Sequence, residues 1–213
     1  MSALILATWD MAAAQAVEAR VPPDGCRDLI LSMAPGERPT WFVSTLPEQT
    51  YGVAVEAGTI LRGFRLRPGT MVDEAALVAS VQGRPWDDDE VASRLDDFCR
   101  LPTTVSEALA ALATECATVA QAAALLGVGP RTLQRLLLAA TGRPPSYWLL
   151  LARARRSARD VLAAGALAEI ADAHGYADQA HMSREFRRWF GTTPLKLRRD
   201  AQLAALLTEP GYG

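Results

Sequence analysis

Arginines occupy the polar side of a short amphipathic stretch near the end of the chain, residues 178–191. At about 100° per residue, its apolar side chains share one third of the helical circumference: Met182, Phe186, Trp189 and Phe190. Arg184 lies opposite, and Gly191 followed by Pro194 predicts that the helix ends near Phe190. The guanidinium fork suits phosphates and guanine edges. This arrangement is typical of a DNA recognition helix, but also of an ordinary surface helix whose arginines only face water.

The same arrangement occurs once more, 49 residues upstream. In both copies an apolar residue, Arg, a second apolar residue, Gly and Pro follow at the same spacing: Leu133, Arg135, Leu137, Gly142 and Pro145 correspond to Met182, Arg184, Phe186, Gly191 and Pro194. Each copy follows a short alanine-rich helix that ends in glycine, at 120–127 and 167–175. A helix, a three-residue turn beginning with Gly and a second helix with arginines on its free face predict a helix-turn-helix unit, here present twice.

One continuous helix is predicted between the two units, over residues 146–165, with Gly165 at its end. About 17 helical residues at roughly 1.5 Å each span about 25 Å. The separation of the two arginine-bearing helices could therefore approach the ~34 Å between successive major grooves on one face of DNA.

The exact recurrence makes Arg135 and Arg184 the leading candidates for contacts with guanine. The next candidates, for base edges or adjacent phosphates, are Arg131, Thr132, Gln134, Gln179 and His181. Arg187 and Arg188 sit toward the end of their helix and are expected to contact phosphates. Solubility alone is the simpler interpretation of the last two.

Charge is segregated along the chain although the net charge is only −2. Residues 1–117 carry 9 Arg against 17 Asp and Glu, whereas residues 118–200 carry 12 Arg and 1 Lys against 6 acids. A basic module attached to an acidic one is expected to bind a polyanion through its basic half.

Residues 1–72 are expected to form a small β-rich domain, with strands over 27–33, 40–46 and 51–66 between turn clusters. About seventy residues are few for a complete barrel, so this domain should lean on the following helices or on a second subunit. The predicted fold class is α+β. Residues 73–103 form a helical linker, residues 104–200 the all-α domain with two helix-turn-helix units joined by a long helix, and residues 201–213 a C-terminal tail.

The three cysteines, Cys26, Cys99 and Cys116, are odd in number and widely spaced, and they predict neither a disulfide framework nor a zinc site. The first residues lack a basic segment and Asp10 interrupts their apolar run, so a cytoplasmic location is expected. No phosphate loop or nucleophile elbow occurs; we expect no enzymatic activity, no cofactor and no metal. Two alternatives stay open: a DNA alkyl-transfer enzyme, which would need an activated cysteine, and a small-molecule-binding or interaction protein whose module has lost DNA binding.

Residues 104–199 resemble the DNA-binding domain of the AraC/XylS family of transcription regulators. The resemblance lies in LGVGPRTLQRLL (126–137), in Arg153 with Ala158, and above all in EIADAHGYADQAHMSREFRRWFGTTP (169–194). Gly129, where the family commonly has Ser, and LKLRR after Pro194, where an aromatic residue before Arg is usual, depart from the pattern. The latter segment either completes a final helix or forms a basic end.

The resemblance implies a sequence-specific DNA-binding regulator that reads two successive major grooves. Residues 21–31 and 63–69 resemble, less specifically, the small cupin-like sensory domains that precede such modules. Candidate partners are therefore double-stranded DNA, RNA polymerase, a small-molecule effector and a second copy of the chain, with no membrane.

Overall fold

The computed structural model describes residues 2–83, 87–114 and 116–213. Its first part is β-rich, as predicted, with eight strands in the described residues: β1 (Ile5–Ala12), β2 (Val17–Val21), β3 (Asp28–Met33), β4 (Thr40–Val43), β5 (Tyr51–Val55), β6 (Ile60–Leu66), β7 (Met71–Val72) and β8 (Cys99–Arg100). They pair as antiparallel sheets with the orders β1-β6-β3-β4, β2-β5 and β7-β8.

Four of these strands, β1, β2, β7 and β8, lie where the sequence patterns predict none. β1 pairs with β6 along its length, with Thr8 opposite Phe64. It carries apolar residues on both faces, including Ile5 on the core side. The alternation of apolar and polar residues that marks a half-buried strand is consequently weak.

Two helices complete the core of the β-rich domain: α1 (Glu74–Val81) and α2 (Asp88–Phe98). Leu77 and Leu95, one from each helix, are fully buried together with Leu29, Phe64 and Leu66 of the four-stranded sheet. The expectation that this short β-rich segment leans on the following helices is confirmed, because the helices cover the apolar sheet face that would otherwise face water.

In the described part of residues 103–213, eight helices form the second part: α3 (Thr103–Thr114), α4 (Val119–Leu125), α5 (Pro130–Thr141), α6 (Pro145–Leu162), α7 (Leu167–Ala173), α8 (Gln179–Phe190), α9 (Pro194–Leu197) and α10 (Ala201–Thr208). The central helix is α6, which contacts helices on both sides of it and fully buries Trp148, Leu151 and Val161. None of the helices in the described ranges is long and apolar enough to cross a bilayer.

The predicted end of α6 at Gly165 is wrong, because the helix stops at Leu162. The left-handed residue that follows is Ala164, with φ 68°. Gly165 has a different role: a Cβ there would lie 3.2 Å from Cδ1 of Ile170. The glycine therefore allows α7 to pack closely against the end of α6. After Pro194 the chain forms the single turn of α9 and then α10, so residues 195–197 are helical and residues 195–199 are not simply a basic end.

Two segments join the β-rich domain to the helices. The first is the loop between β4 and β5, residues 44–50, which we call the docking loop. The second is α10 with the C-terminal residues 209–213. Arg20 of β2 forms a bidentate ion pair with Asp200 at 2.6 and 2.7 Å. This pair, chiefly through its hydrogen bonds, lowers the pKa of Asp200 to about 2.

Candidate nucleic-acid interface

The two arginine-bearing helices, α5 and α8, are equal in length and lie 49 residues apart, as the sequence predicts. Each has 12 residues and ends in a left-handed glycine, Gly142 at φ 68° and Gly191 at φ 66°. Their apolar stripes are almost entirely buried: Leu133 and Leu137 in α5, and Met182, Phe186, Trp189 and Phe190 in α8. Burial of these stripes fixes which face of each helix points outward.

The preceding helices, α4 and α7, show that the two units differ by one residue. Both have seven residues, but they lie 48 positions apart. The first turn has the three residues predicted from Gly127, whereas the second, from Gly175 to Asp178, has four. Both begin alike, since the N–H groups of Val128 and Tyr176 donate at 2.9 Å to carbonyls in the helix before. The prediction of a three-residue turn is therefore wrong for the second unit only.

Tyr176 in the longer turn anchors the second unit to α6. Its side chain is buried, and its hydroxyl lies 3.1 Å from Oγ of Ser157. The guanidinium of Arg153 lies 4.6 Å from the centre of its ring. The corresponding residue of the first unit, Val128, is exposed. The sequence places Arg153 in the family pattern, and the structure gives it this contact.

The candidate DNA-binding residues of the first unit all lie on the outer face of α5. Arg131, Thr132, Gln134 and Arg135 are exposed. In the second unit, Gln179, Arg184, Arg187 and Arg188 are exposed and His181 is half-buried. The structure thus brings the predicted residues together as two polar faces, each backed by a buried apolar stripe.

Four arginines on these faces have no carboxylate partner among the described residues: Arg131, Arg135, Arg184 and Arg187. Arg188 differs, because its Nη1 lies 3.9 Å from Oε1 of Glu185 and its guanidinium stands 5.2 Å from the Trp189 ring centre. Arginines without counter-ions, two on each helix, leave their full hydrogen-bonding capacity for an anionic partner.

His181 contributes to the start of α8. Its Nδ1 accepts from the N–H of Ala177 at 3.2 Å, while its own backbone N–H donates to Oδ1 of Asp178 at 2.5 Å. This reciprocal arrangement resembles a capping box, with histidine in place of the usual glutamate or glutamine. His181 therefore stabilises the turn with one ring nitrogen and retains Nε2 for its predicted contact.

Replacing Asp178 by Ala should destabilise the protein by about 1 kcal/mol, because the side chain is the N-cap of α8. The measurement is the free energy of unfolding in denaturant. Asp172→Ala is the matched control, since Asp172 is exposed on the neighbouring helix α7. Equal losses in the two variants would contradict a capping role for Asp178.

The docking loop lies at the C-terminal ends of both arginine-bearing helices, α5 and α8. The backbone N–H and Oγ1 of Thr50 donate to the carbonyl of Trp189, at 2.9 and 3.0 Å. The Tyr147 hydroxyl donates to the carbonyl of Pro47 at 2.9 Å, and Arg143 pairs with Glu48. These contacts satisfy a carbonyl that the end of a helix leaves open. The first residues of the two helices, 130–132 in α5 and 179–180 in α8, are exposed in contrast.

Sequence reasoning missed the contacts that hold the two domains together. Arg155 of α6 is 1 % exposed and donates to the carbonyl of Glu209 at 3.0 Å. Arg155 occupies a position in the apolar stripe of α6, and that position indicates that its side chain is buried. The C-terminal residues carried no such signal, although Tyr212 is buried and its hydroxyl donates to the carbonyl of Leu109 at 2.9 Å.

Two of the cysteines are buried in settings that disfavour a thiolate. Burial, and then the charge of Asp24, raise the pKa of Cys26 well above its usual value. Burial also raises the pKa of Cys99 to about 11. A nucleophilic cysteine needs a lowered pKa, so neither of these residues supports an alkyl-transfer enzyme.

Residues 122–200 match a family profile described as a helix-turn-helix domain. Among curated protein sequences, none matches this chain.

Solved structures are similar over the helical part or over most of the chain. The C-terminal domain of AraT, a response regulator from Geobacillus stearothermophilus, is 27% identical over 47% of this chain and 87% of that chain, with a TM-score of 0.44. A DNA-binding transcriptional dual regulator from Escherichia coli K-12 is 22% identical over 47% and 99%, with a TM-score of 0.40. ToxT from Vibrio cholerae O395 is 8% identical over 95% and 97%, with a TM-score of 0.48.

The profile match spans most of the paired helix-turn-helix units described above. It covers both arginine-bearing helices and α6 between them. Residues 122–200 form an AraC-type helix-turn-helix domain, and the protein that carries it is a DNA-binding transcription regulator.

Proposed function

We propose that the two units read successive major grooves of one operator, with Arg135 and Arg184 on guanines. The observation that carries this proposal is the pair of equal helices, each with two exposed arginines that have no described carboxylate partner. A bidentate contact between Arg and guanine discriminates by about 1–3 kcal/mol against the wrong base. The 18 residues of α6 correspond to about 27 Å at 1.5 Å per residue, a spacing compatible with two adjacent grooves.

The remaining exposed residues complete this contact surface. Arg131, Thr132, Gln134, Gln179 and His181 lie near the first turns, where recognition helices usually meet base edges. Arg187 and Arg188 contact phosphates in this proposal. Arg188 also faces the groove beside the docking loop, so its contact depends on how that loop sits.

A small molecule in the β-rich domain is proposed to modulate DNA binding. A cavity there is lined by residues of the docking loop, among them Pro47, and by Leu206 of α10. The docking loop contacts the helical domain through the Tyr147 hydroxyl, and α10 packs against α6. A ligand that contacts them can shift the protein between arrangements of the two units only if it binds one arrangement more tightly. RNA polymerase and a second copy of the chain remain expected partners, in the cytoplasm where the DNA is.

The first test is the salt dependence of binding to DNA from the region flanking the coding sequence. The logarithm of the affinity should fall linearly with the logarithm of salt concentration, with a slope of about −0.9 for each phosphate contacted. A gel shift with the full chain between roughly 50 and 200 mM salt measures the slope. Footprinting of the same fragment should show two protected stretches about one helical turn apart. A single protected stretch would contradict the two-groove proposal.

A further inference from the structure

A cavity of about 560 Å³ lies between the four-stranded sheet, the β2-β5 pair and α10. Four of its apolar side chains have more than a third of their surface exposed: Val17, Phe42, Tyr51 and Val53. Clustered exposed apolar groups around a concavity of this size are typical of a small-molecule site. The cavity wall is therefore suited to an apolar body.

Charged residues gather at one side of this cavity. Arg65 is in contact with three carboxylates: Nε with Asp28 at 3.4 Å, Nη2 with Asp24 at 3.2 Å and Nη1 with Glu209 at 3.2 Å. The side chains of Arg65, Asp28 and Asp24 are only 12, 12 and 16 % exposed. Arg65 thus contacts three acids, and Arg155 also acts on Asp24, so the cluster of three acids and two arginines carries one more negative than positive charge.

Neither arginine that lines the cavity is free to receive an anionic ligand. Each nitrogen of Arg65 has a carboxylate, and Nη1 donates in addition to the carbonyl of Pro210 at 3.0 Å. Arg20 is held by Asp200 through two hydrogen bonds and by Gln202 at 3.2 Å. A ligand carboxylate would have to break one of these pairs and would approach Asp24 and Asp28.

The carboxylates of the cluster, in contrast, can accept further hydrogen bonds. Oδ2 of Asp28 accepts from Nε1 of Trp9 at 3.1 Å, and a carboxylate oxygen has a second lone pair. Burial is the largest influence on both aspartates and raises the pKa of Asp24 and of Asp28, while Arg65 opposes the rise. Their negative charge is therefore incompletely compensated, and an added cation would be stabilised beside them.

Trp9 adds an aromatic surface beside these carboxylates. Its indole lies against Gly63 of β6, since a Cβ at that position would fall 2.0 Å from Cε2 of the ring. Trp9 also lines the cavity. An aromatic face next to buried carboxylates is a favourable environment for an organic cation.

Building on the effector role proposed above, we infer that the ligand is an organic ammonium with an apolar body. Its charged end contacts Asp28 and Asp24, and its apolar part lies on Trp9, Phe42 and Val53. This assigns the class of ligand by chemistry: an alkyl or aryl amine, protonated at neutral pH.

Isothermal titration of the full chain with three probes of one shape tests this inference: 4-phenylbutylamine, 4-phenylbutanol and 4-phenylbutyrate. The amine should bind at least about tenfold more tightly than either of the others, a difference of about 1.4 kcal/mol. Asp28→Asn should weaken the amine by a similar factor and improve the butyrate, because it removes one of the three carboxylate charges around Arg65. Glu37→Gln, at an exposed turn between β3 and β4, should change neither.

Equal or tighter binding of the butyrate or the alcohol, or no binding of the amine, would overturn the ligand class. The ranking of the three probes on the unaltered chain decides this even where Asp28→Asn fails to fold. A gel shift on the same preparation keeps the two proposals apart. Retained DNA binding with no amine binding refutes the ligand class alone, whereas amine binding without DNA binding refutes the two-groove reading.

Discussion

Replacing Arg184 by Ala should lower the preference of the protein for its operator over unrelated DNA by about 5- to 150-fold, the equivalent of about 1–3 kcal/mol at one guanine. Arg135→Ala should do the same at the other half of the site. Both side chains are exposed and have no described ion-pair partner, so their loss should leave folding intact. Competition gel shifts with single-base variants of the operator measure the preference at each position.

Two further variants separate reading of bases from attraction to phosphate. Arg188→Ala should weaken binding to all sequences about equally and reduce the salt slope by about 1. Arg38→Ala, an exposed arginine in the turn between β3 and β4, should change neither quantity. If neither Arg135→Ala nor Arg184→Ala alters base preference, the two-groove reading is wrong.

Replacing Arg155 by Ala should destabilise the folded protein by about 3 kcal/mol, the range found when one member of a buried charged network is removed. Its guanidinium is 1 % exposed and donates to the carbonyls of Pro23, at 3.5 Å, and Glu209, at 3.0 Å. Burial lowers its pKa, and the negative charge of Asp24 opposes that shift. Truncation would leave both carbonyls and Asp24 without this partner in the interior.

The free energy of unfolding of the full chain measures this effect, and Arg159→Ala is its control. Arg159 lies one turn further along α6, is exposed, and donates to the carbonyl of Gly213 at 2.7 Å. A loss of at most about 0.5 kcal/mol is expected there. Comparable losses in both variants would show that Arg155 has no special role in joining the domains.

Much of the helical domain follows from local patterns in the sequence. Gly142 and Gly191 end their helices in the left-handed conformation, and the apolar stripes of α5 and α8 face the core as predicted. Thr118 and Gln121 form a complete capping box at the start of α4. These features depend on residues within a few positions of one another, which is why spacing alone predicts them.

Prediction fails where a residue's role is set by a distant partner. β1 has apolar residues on two faces because one face packs in the core and the other lines the cavity beside Trp9. The 49-residue repeat relates α5 to α8, and it does not reveal the extra residue in the turn before α8. The extra residue becomes explicable only when Tyr176 is seen to reach Ser157.

The sequence by itself determined the two helix-turn-helix units, their exposed arginines and the β-rich class of the first domain, because helical periodicity, glycine caps and charge are local properties. Only the tertiary structure decided how the parts meet: Thr50 on the carbonyl of Trp189, Arg155 on the C-terminal residues, and Asp24 and Asp28 around Arg65. These contacts join residues that are far apart in the chain. No periodicity links such residues, since folding alone brings them together.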